Sequence, residues 1–391
     1  MAFVYPNYTP FEVSFVKGEG DFLYDDQGKR YIDLLAGIAV TSVGHCHPEV
    51  VSALIKQVQT LWHVSNLYQC LWQEELAEQL IRLSKLEPTK LNRVFFCNSG
   101  TEANEAALKL CRIYGQRISK KKFKVISLFG SFHGRSLGSA CLTGQKKGQE
   151  LMGPLPEGFH YIEPNDLESL EAAFDEDVCG FFVESVLGEG GVLPLKAEFL
   201  QRAQELCKKH SALLVCDEVQ AGVFRTGPFW AHQRKGVEPD LVTAAKGLGG
   251  GFPVGALLTS EALSEVLTPG THGSTFGGNA LAVAAARAVL DVLEKNNVSA
   301  HVKEMESCMA ENFNSIKEKF PNVVESVRGE GLLWGLVLKE DLVAKDFVKR
   351  GLDHGVVFGG AGKNVLRFAP NLLIKKSNLE DAFHLLERVL A

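Results

Sequence analysis

Short runs of β-branched and aromatic residues alternate with longer helical stretches in the middle of the chain. The runs are Arg93 to Cys97, Lys124 to Leu128, Gly180 to Val186, Ala212 to Cys216 and Leu241 to Ala244. Strands that are joined by helices pair in parallel, and the helices cover both faces of the sheet. The alternation therefore predicts an α/β fold with a large, mostly parallel central sheet.

Both ends of the chain depart from this alternation. Residues 11–35 alternate apolar and polar positions around a turn at Asp25-Asp26-Gln27-Gly28, which indicates a small antiparallel element. After an Ala-rich helix that begins at Leu281, amphipathic helices mix with short strands. The 391 residues also exceed the usual size of one domain. We predict an N-terminal segment, 1–60, that packs with a small domain, a large domain, 61–296, and the small α+β domain itself, 297–391.

Composition and charge favour a small-molecule partner. Lys and Arg number 41 against 47 for Asp and Glu, without the basic footprint of a nucleic-acid-binding protein. No run approaches the roughly 18 apolar residues of a membrane span. The nine cysteines stand singly, several in apolar runs, which is typical of buried thiols in a reducing compartment. We expect a cytoplasmic protein without a nucleic-acid or membrane partner, and without a metal, because His45-Cys46-His47 lacks a second pair of ligands.

Polar residues follow the first two predicted strands, at the edge where open α/β sheets bind ligands. The N–H groups of Gly100 and Thr101, at the start of a helix, suit a phosphate, although an ordinary helix cap has the same sequence pattern. After the second strand, Phe132 could stack on a planar ring and Arg135 could bind a carboxylate. His133, between them, fits a structural hydrogen-bonding role as well as a catalytic one.

The later strands end in charged residues. Glu184 lies at the end of the third strand, Glu189 follows it among glycines, and Asp217 ends the fourth. A buried carboxylate is costly unless it meets a cation, and a protonated pyridine nitrogen is such a cation. Lys246 follows the fifth strand, where loss of solvent would lower its pKa and leave a nucleophilic amine. Taken alone, a lysine in this place is more commonly a surface residue.

These strand ends together meet the four requirements of pyridoxal phosphate. The cofactor needs a phosphate site, a ring to stack on, a partner for the ring nitrogen and an amine for the aldehyde. We therefore predict pyridoxal phosphate, bound as a Schiff base to Lys246. A nucleotide-binding enzyme would also explain the glycine-rich loops, but neither G-x-G-x-x-G after a strand nor G-x-x-x-x-G-K-[ST] occurs. A non-catalytic binding protein on the same fold is the other alternative.

Six motifs, in order, resemble those of the class III aminotransferases. They are Ser99-Gly100-Thr101-Glu102-Ala103, Phe132-His133-Gly134-Arg135, Gly188-Glu189-Gly190-Gly191, Asp217-Glu218-Val219-Gln220, Lys246-Gly247 and Ser274-Thr275-Phe276-Gly277-Gly278-Asn279. The resemblance extends from Gly44 to Pro370. It implies the fold type I of pyridoxal-phosphate-dependent transferases and a homodimer with active sites at the subunit interface.

The resemblance also implies roles for single residues. Those that would serve the cofactor are Gly100 and Thr101 at the phosphate, Phe132 on the ring face, Asp217 at the ring nitrogen, Gln220 at the ring hydroxyl and Thr275 of the neighbouring subunit at the phosphate. Arg135 would bind a substrate carboxylate, with Ser274 nearby. Arg367 would bind the α-carboxylate of 2-oxoglutarate or glutamate, and Glu189 would pair with Arg367 when a diamine-derived substrate is bound.

The implied reaction is a ping-pong transamination. The terminal amino group of N2-acetylornithine would pass to 2-oxoglutarate and give N-acetylglutamate 5-semialdehyde and glutamate, a step of arginine biosynthesis. Lys246 would move a proton between substrate carbon and cofactor. Ornithine, succinylornithine, succinyl-diaminopimelate and 4-aminobutyrate stay open as donors. An intramolecular aminomutase is a further alternative, and it would need no keto acid.

Overall fold

The computed structural model describes residues 3–84, 91–145 and 149–391. Its strands are β1 (Phe15–Glu19), β2 (Phe22–Asp25), β3 (Arg30–Asp33), β4 (Arg93–Cys97), β5 (Lys124–Leu128), β6 (Phe159–Ile162), β7 (Val178–Val183), β8 (Val186–Leu187), β9 (Leu193–Pro194), β10 (Leu213–Asp217), β11 (Leu241–Ala244), β12 (Gly255–Thr259), β13 (Val324–Glu330), β14 (Leu333–Leu338), β15 (Val356–Val357), β16 (Gly359–Ala361) and β17 (Val365–Phe368).

The helices alternate with these strands. They are α1 (Pro48–Val58), α2 (Leu71–Ser84), α3 (Gly100–Ile118), α4 (Leu137–Leu142), α5 (Leu167–Ala173), α6 (Ala197–Lys209), α7 (Glu261–Ser264), α8 (Ala280–Lys295), α9 (Val298–Lys319), α10 (Ala344–His354) and α11 (Lys376–Leu390). None of the described helices combines the length and the apolar character that crossing a membrane requires.

A seven-stranded sheet forms the centre of the molecule, with the strand order β4-β12-β11-β10-β7-β5-β6. Parallel pairing joins β11, β10, β7, β5 and β6, whereas β12 is antiparallel to both of its neighbours. The predicted α/β class with a mostly parallel sheet is confirmed. β6 and β12 were not predicted. β12 directly follows a glycine-rich loop and has no β-branched residue before its last position.

The inner strands are apolar without interruption because helices cover both faces of the sheet. In β7, Phe181 packs into a cluster with Phe199 of α6, while the next residue, Phe182, packs on the opposite face with Ala107 of α3. Successive residues of a strand point to opposite faces. The same alternation places Leu214 and Val215 of β10 in those two clusters. The carboxyl ends of the parallel strands are therefore held rigidly at one edge.

The two ends of the chain meet in a second sheet. β1, β2 and β3 form the predicted antiparallel element, and β15 extends it by pairing in parallel with β3. The ammonium of Lys29 donates to the carbonyls of Leu352 and Asp353, 2.8 and 2.9 Å away. A third sheet, β13-β14-β17-β16, packs against α9 and α11 through Phe313, Phe368 and Phe383. The domain limits 1–60, 61–296 and 297–391 stay a prediction.

Candidate active site

A cavity of about 370 Å³ opens at the carboxyl ends of the central parallel strands. The predicted site residues that line it are Gly100, Thr101, Phe132, Asp217, Gln220 and Lys246. Asp217 is the last residue of β10, and the others come from the segments that follow β4, β5, β10 and β11. Ligand sites in open α/β sheets lie at this edge.

The start of α3 forms one wall of the cavity. Ser99 caps the helix and accepts a hydrogen bond from the backbone of Glu102 at 3.3 Å. The Glu102 carboxylate reaches back to the backbone N–H of Asn98, one residue before the cap, so the predicted capping box is shifted by one position. A Cβ on Gly100 would lie 2.7 Å from Val219, so only glycine fits there. The N–H groups of Gly100 and Thr101 have no partner within the helix and lie at its positive end.

Asp217 lies at the end of β10 and is 3% exposed. Its Oδ2 accepts hydrogen bonds from His133 Nδ1 and Asn104 Nδ2, each at 2.7 Å, and its Oδ1 accepts the N–H of Val219 at 3.0 Å. Thr243 donates to the oxygen of Asn104 at 2.9 Å, which fixes the orientation of that amide. These bonds hold the carboxylate in one orientation.

His133 and Glu184 lie beside Asp217 and are both buried. Burial opposes protonation of His133, but the hydrogen bond and the charge of Asp217 outweigh it and raise the pKa of His133. Burial raises the pKa of Glu184 to about 7; Asp217 adds to this effect and His133 opposes it. Glu184 accepts the N–H groups of Phe132 and Gly188 at 2.9 and 3.0 Å, so it links two loops of the site.

Lys246 begins a 3₁₀ turn two residues after the end of β11 and has a φ of 43°, in the left-handed region. Burial lowers the pKa of its amine; Glu189 opposes this effect and Arg367 adds to it. The hydroxyl of Ser42 donates to the carbonyl of Gly247 at 2.7 Å and anchors the turn. A positive φ is strained for a lysine and persists only where the surrounding structure holds it. The hydrogen bond from Ser42 to Gly247 helps to hold Lys246 in this conformation.

Arg367 lies in β17 and is 3% exposed. Its Nη1 donates to the carboxylate of Glu189 and, at 3.2 Å, to Oε1 of Gln220. Its Nε is buried and makes no hydrogen bond within residues 3–84, 91–145 and 149–391. The predicted pairing partners Glu189 and Arg367 are therefore in contact, and Gln220 connects them to the cavity.

The remaining predicted residues lie outside the cavity wall. Arg135 is exposed, and its guanidinium lies 5.5 Å from the centre of the Phe132 ring. Ser274 lies near the cavity, because its hydroxyl accepts a hydrogen bond from Asn98 at 3.2 Å. Thr275 is exposed and does not line the cavity of its own chain. Arg135, Ser274 and Thr275 thus lie in loops around the cavity and do not form its wall.

Asn104 and Val40 also line the cavity and were not predicted. Asn104 lies inside α3, one turn beyond the end of β4. A buried Asn on the Ala-rich face of that helix is the signal that could have found it. Val40 follows a turn, Ala36–Ala39, in which four residues have positive φ between 51° and 69°. Since three of these are not glycine, no sequence rule predicts this turn.

The sequence profile of the family described as aminotransferase class-III matches residues 3–390. The chain is a class III aminotransferase. This aminotransferase is 44% identical over 391 residues to the acetylornithine aminotransferase of Aquifex aeolicus, with all of both chains covered. Among solved structures it is similar to the N-acetylornithine aminotransferase of Stenotrophomonas maltophilia, with 38% identity, a TM-score of 0.84 and coverage of 97% of this chain and 96% of the other.

A second solved structure is the ornithine aminotransferase of Toxoplasma gondii. It is 32% identical to the aminotransferase described here, with a TM-score of 0.92 and coverage of 99% of this chain and 92% of the other. Its active site holds pyridoxal phosphate at partial occupancy. The predicted family is confirmed over nearly the whole length of the chain. The nucleotide-binding enzyme and the non-catalytic binding protein are the weaker alternatives for a chain with this membership.

Proposed function

We propose that this aminotransferase binds pyridoxal phosphate at Lys246 and transfers the terminal amino group of N2-acetylornithine to 2-oxoglutarate. The products would be N-acetylglutamate 5-semialdehyde and glutamate, and the step belongs to arginine biosynthesis. The proposal is carried by one cavity that combines a desolvated amine at Lys246, a buried carboxylate at Asp217 and the first-turn N–H groups of α3.

The residues of the cavity fit this cofactor. Gly100 and Thr101 offer their first-turn N–H groups to a phosphate, and Phe132 lies in the wall of the same cavity. Asp217 is buried and held by three hydrogen bonds, so its carboxylate is placed to pair with a protonated ring nitrogen. The cavity volume of about 370 Å³ suits a small planar ligand.

When bound, pyridoxal phosphate supplies an aldehyde for the amino group and a ring that withdraws negative charge from the substrate carbon. Asp217 would keep a proton on the ring nitrogen. Lys246 would act through Nζ as the base that takes the proton from the substrate carbon, and burial, which lowers the pKa of this amine, favours the neutral form that the role requires. His133 and Asn104 would hold the Asp217 carboxylate in place.

Arg367 and Glu189 would let one pocket accept two kinds of substrate. In the donor half-reaction Glu189 neutralises Arg367, and in the second half-reaction a carboxylate of 2-oxoglutarate would replace Glu189. The buried Nε of Arg367, which has no partner in the described chain, is a free donor for that carboxylate. Arg135 would bind the carboxylate of the donor, with Ser274 nearby.

N2-acetylornithine is our first choice of donor because two of the similar proteins described above are acetylornithine aminotransferases. Succinyl-diaminopimelate and succinylornithine have the same blocked amino acid end and are plausible further donors. Ornithine, the substrate in the name of the Toxoplasma gondii protein, is the principal alternative, and 4-aminobutyrate is another.

We further propose a cytoplasmic homodimer with shared active sites. Thr275 lies outside the cavity of its own chain, next to Phe276, which is 60% exposed. Trp62, Leu67 and Tyr68 add further exposed apolar surface, 89% exposed in the case of Leu67. Exposed apolar patches of this kind mark contact surfaces. A second copy would cover this surface and bring Thr275 to the phosphate site of its partner.

The visible absorbance of the purified protein with pyridoxal phosphate tests the cofactor and the donor. We expect a visible band that N-acetylornithine bleaches and 2-oxoglutarate restores, and we expect Lys246→Ala to lack that band. Ornithine, succinylornithine and 4-aminobutyrate serve as matched donors. A protein that stays colourless contradicts the cofactor, whereas a band that only another donor bleaches contradicts the substrate. Restoration without any keto acid would identify an aminomutase instead.

A further inference from the structure

The amide of Gln220 lies between Arg367 and the cavity. Its oxygen accepts a hydrogen bond from Arg367 Nη1 at 3.2 Å, and the residue also lines the cavity wall. Nη1 of Arg367 donates its second hydrogen to the carboxylate of Glu189. When Glu189 gives way to a substrate carboxylate, the bond from Arg367 to Gln220 can therefore persist.

Chemistry allows only one orientation of this amide. A glutamine side chain has an oxygen that accepts and an NH₂ group that donates, and the two have nearly the same shape. A guanidinium has donors and no acceptor, so Arg367 attracts the oxygen and repels the NH₂ group. The NH₂ group of Gln220 must then face away from Arg367. Within the described residues it makes no hydrogen bond with another side chain or carbonyl.

Gly188 restricts the same amide on another side. A Cβ at Gly188 would lie 2.1 Å from the amide oxygen and 2.4 Å from its carbon, so the amide lies directly against the glycine backbone. The N–H of Gly188 is in turn held by Glu184 at 3.0 Å. The position of the amide is thus limited by Gly188 and its orientation by Arg367.

We propose that Arg367 is a positioning residue for Gln220, and that it orients the amide so that the NH₂ group donates to the ring oxygen of pyridoxal phosphate. The proposal rests on the proposed function, because it requires that cofactor in the cavity. Donors directed at an oxygen favour its deprotonated form. The reversed amide would present its own oxygen there and favour the protonated form. Arg367 therefore acts on the cofactor through Gln220, in addition to binding a substrate carboxylate.

The pH titration of the visible band of the substrate-free holoenzyme tests this inference. The variants are Gln220→Leu, Arg367→Met, the double variant, and Arg367→Lys as the conservative control, which keeps a cation that only donates. We expect the titration midpoint to rise by about one pH unit in Gln220→Leu and in Arg367→Met. We expect Arg367→Lys to stay close to wild type.

The double variant separates the two ways in which Arg367 could act. If it acts through Gln220, the double variant titrates within about 0.3 pH units of Gln220→Leu alone. If the two shifts add, Arg367 acts on the ring as a distant charge and the inference is wrong. It is also wrong if Gln220→Leu titrates like wild type, since the amide then does not serve the ring oxygen, or if Arg367→Met titrates like wild type, since Arg367 then does not orient the amide. A wild-type protein that shows no visible band contradicts the proposed function itself and is thereby distinguished from these results.

Discussion

Gly188→Ala should displace the Gln220 amide without changing any chemical group of the site. The new Cβ would lie 2.1 Å from the amide oxygen, whereas ordinary contacts begin at 3.4 Å, so the amide must move by about 1.3 Å. The bond that it accepts from Arg367 is already 3.2 Å long, near the limit for a hydrogen bond. We expect a displacement of this size to break the bond. Gly188 has no positive φ, so alanine does not strain the backbone.

The size of the effect follows from the lost contact. A hydrogen bond to a charged group contributes about 1.5–3 kcal/mol, and each 1.4 kcal/mol corresponds to roughly a tenfold change in rate. We therefore expect the rate constant of the donor half-reaction to fall by roughly 10- to 100-fold. Stopped-flow bleaching of the visible band by N-acetylornithine, without keto acid, measures this step alone.

Gly360→Ala is the matched control. It replaces a glycine of β16, beside the strand of Arg367, and its Cβ would meet nothing closer than 3.5 Å. We expect this variant to react at the wild-type rate and to unfold at the same temperature. If Gly188→Ala also bleaches within twofold of wild type, the position of the Gln220 amide does not govern the reaction. That result would refute the reasoning from the packing of Gly188.

Three further predictions concern the buried polar groups. Because burial raises the pKa of Glu184 from 4.5 to about 7, its proton stabilises the fold below pH 4.5 and that contribution is lost as the pH rises through about 7. The unfolding temperature of the wild type should fall as the pH rises over this range, and it should fall less in Glu184→Gln. An equal fall in both proteins would contradict the raised pKa of Glu184. Asp217→Asn removes the charge that raises the pKa of His133, and it should slow the donor half-reaction at least 100-fold, measured by single turnover, because the ring nitrogen loses its counter-charge. A rate within tenfold of wild type would count against the role of Asp217. Trp230→Phe removes the bond from the indole N–H to the hydroxyl of Ser84 at 2.8 Å and should cost about 1–3 kcal/mol. Calorimetry should show a lower unfolding temperature, and Ser84→Ala should add little to the effect of Trp230→Phe.

The sequence predicts those parts of the molecule that depend on residues close together in the chain. β4, β5 and β11 have the predicted limits because each is a short apolar run between breaking residues. Asp217 and Lys246 could be found because parallel strands end at one edge, so the residues after each strand meet there. Both lie in the same cavity wall.

Contacts between distant segments could not be predicted in the same way. The bond between Arg367 and Gln220 joins residues 147 positions apart, and nothing in either local sequence specifies it. β12 was missed because its residues, Gly-Ala-Leu-Leu-Thr, have weak strand preference and become a strand only by pairing with β4 and β11. The roles of Thr275 and Arg135 stay predictions for a related reason, since they depend on a second chain or a bound substrate.

The pairing of β3 with β15 makes the order of synthesis important for this chain. Lys29 and Asp353 are 324 residues apart, and the ribosome needs roughly 16–65 s to make a segment of that length at about 5–20 residues per second. During this interval the N-terminal hairpin has no edge partner, and the apolar side chains of Tyr31 and Ile32 lack the cover that they have in the finished protein. The beginning of the nascent chain therefore waits longest for its pairing partner. A stop codon late in the gene would leave the first sheet incomplete as well as the last.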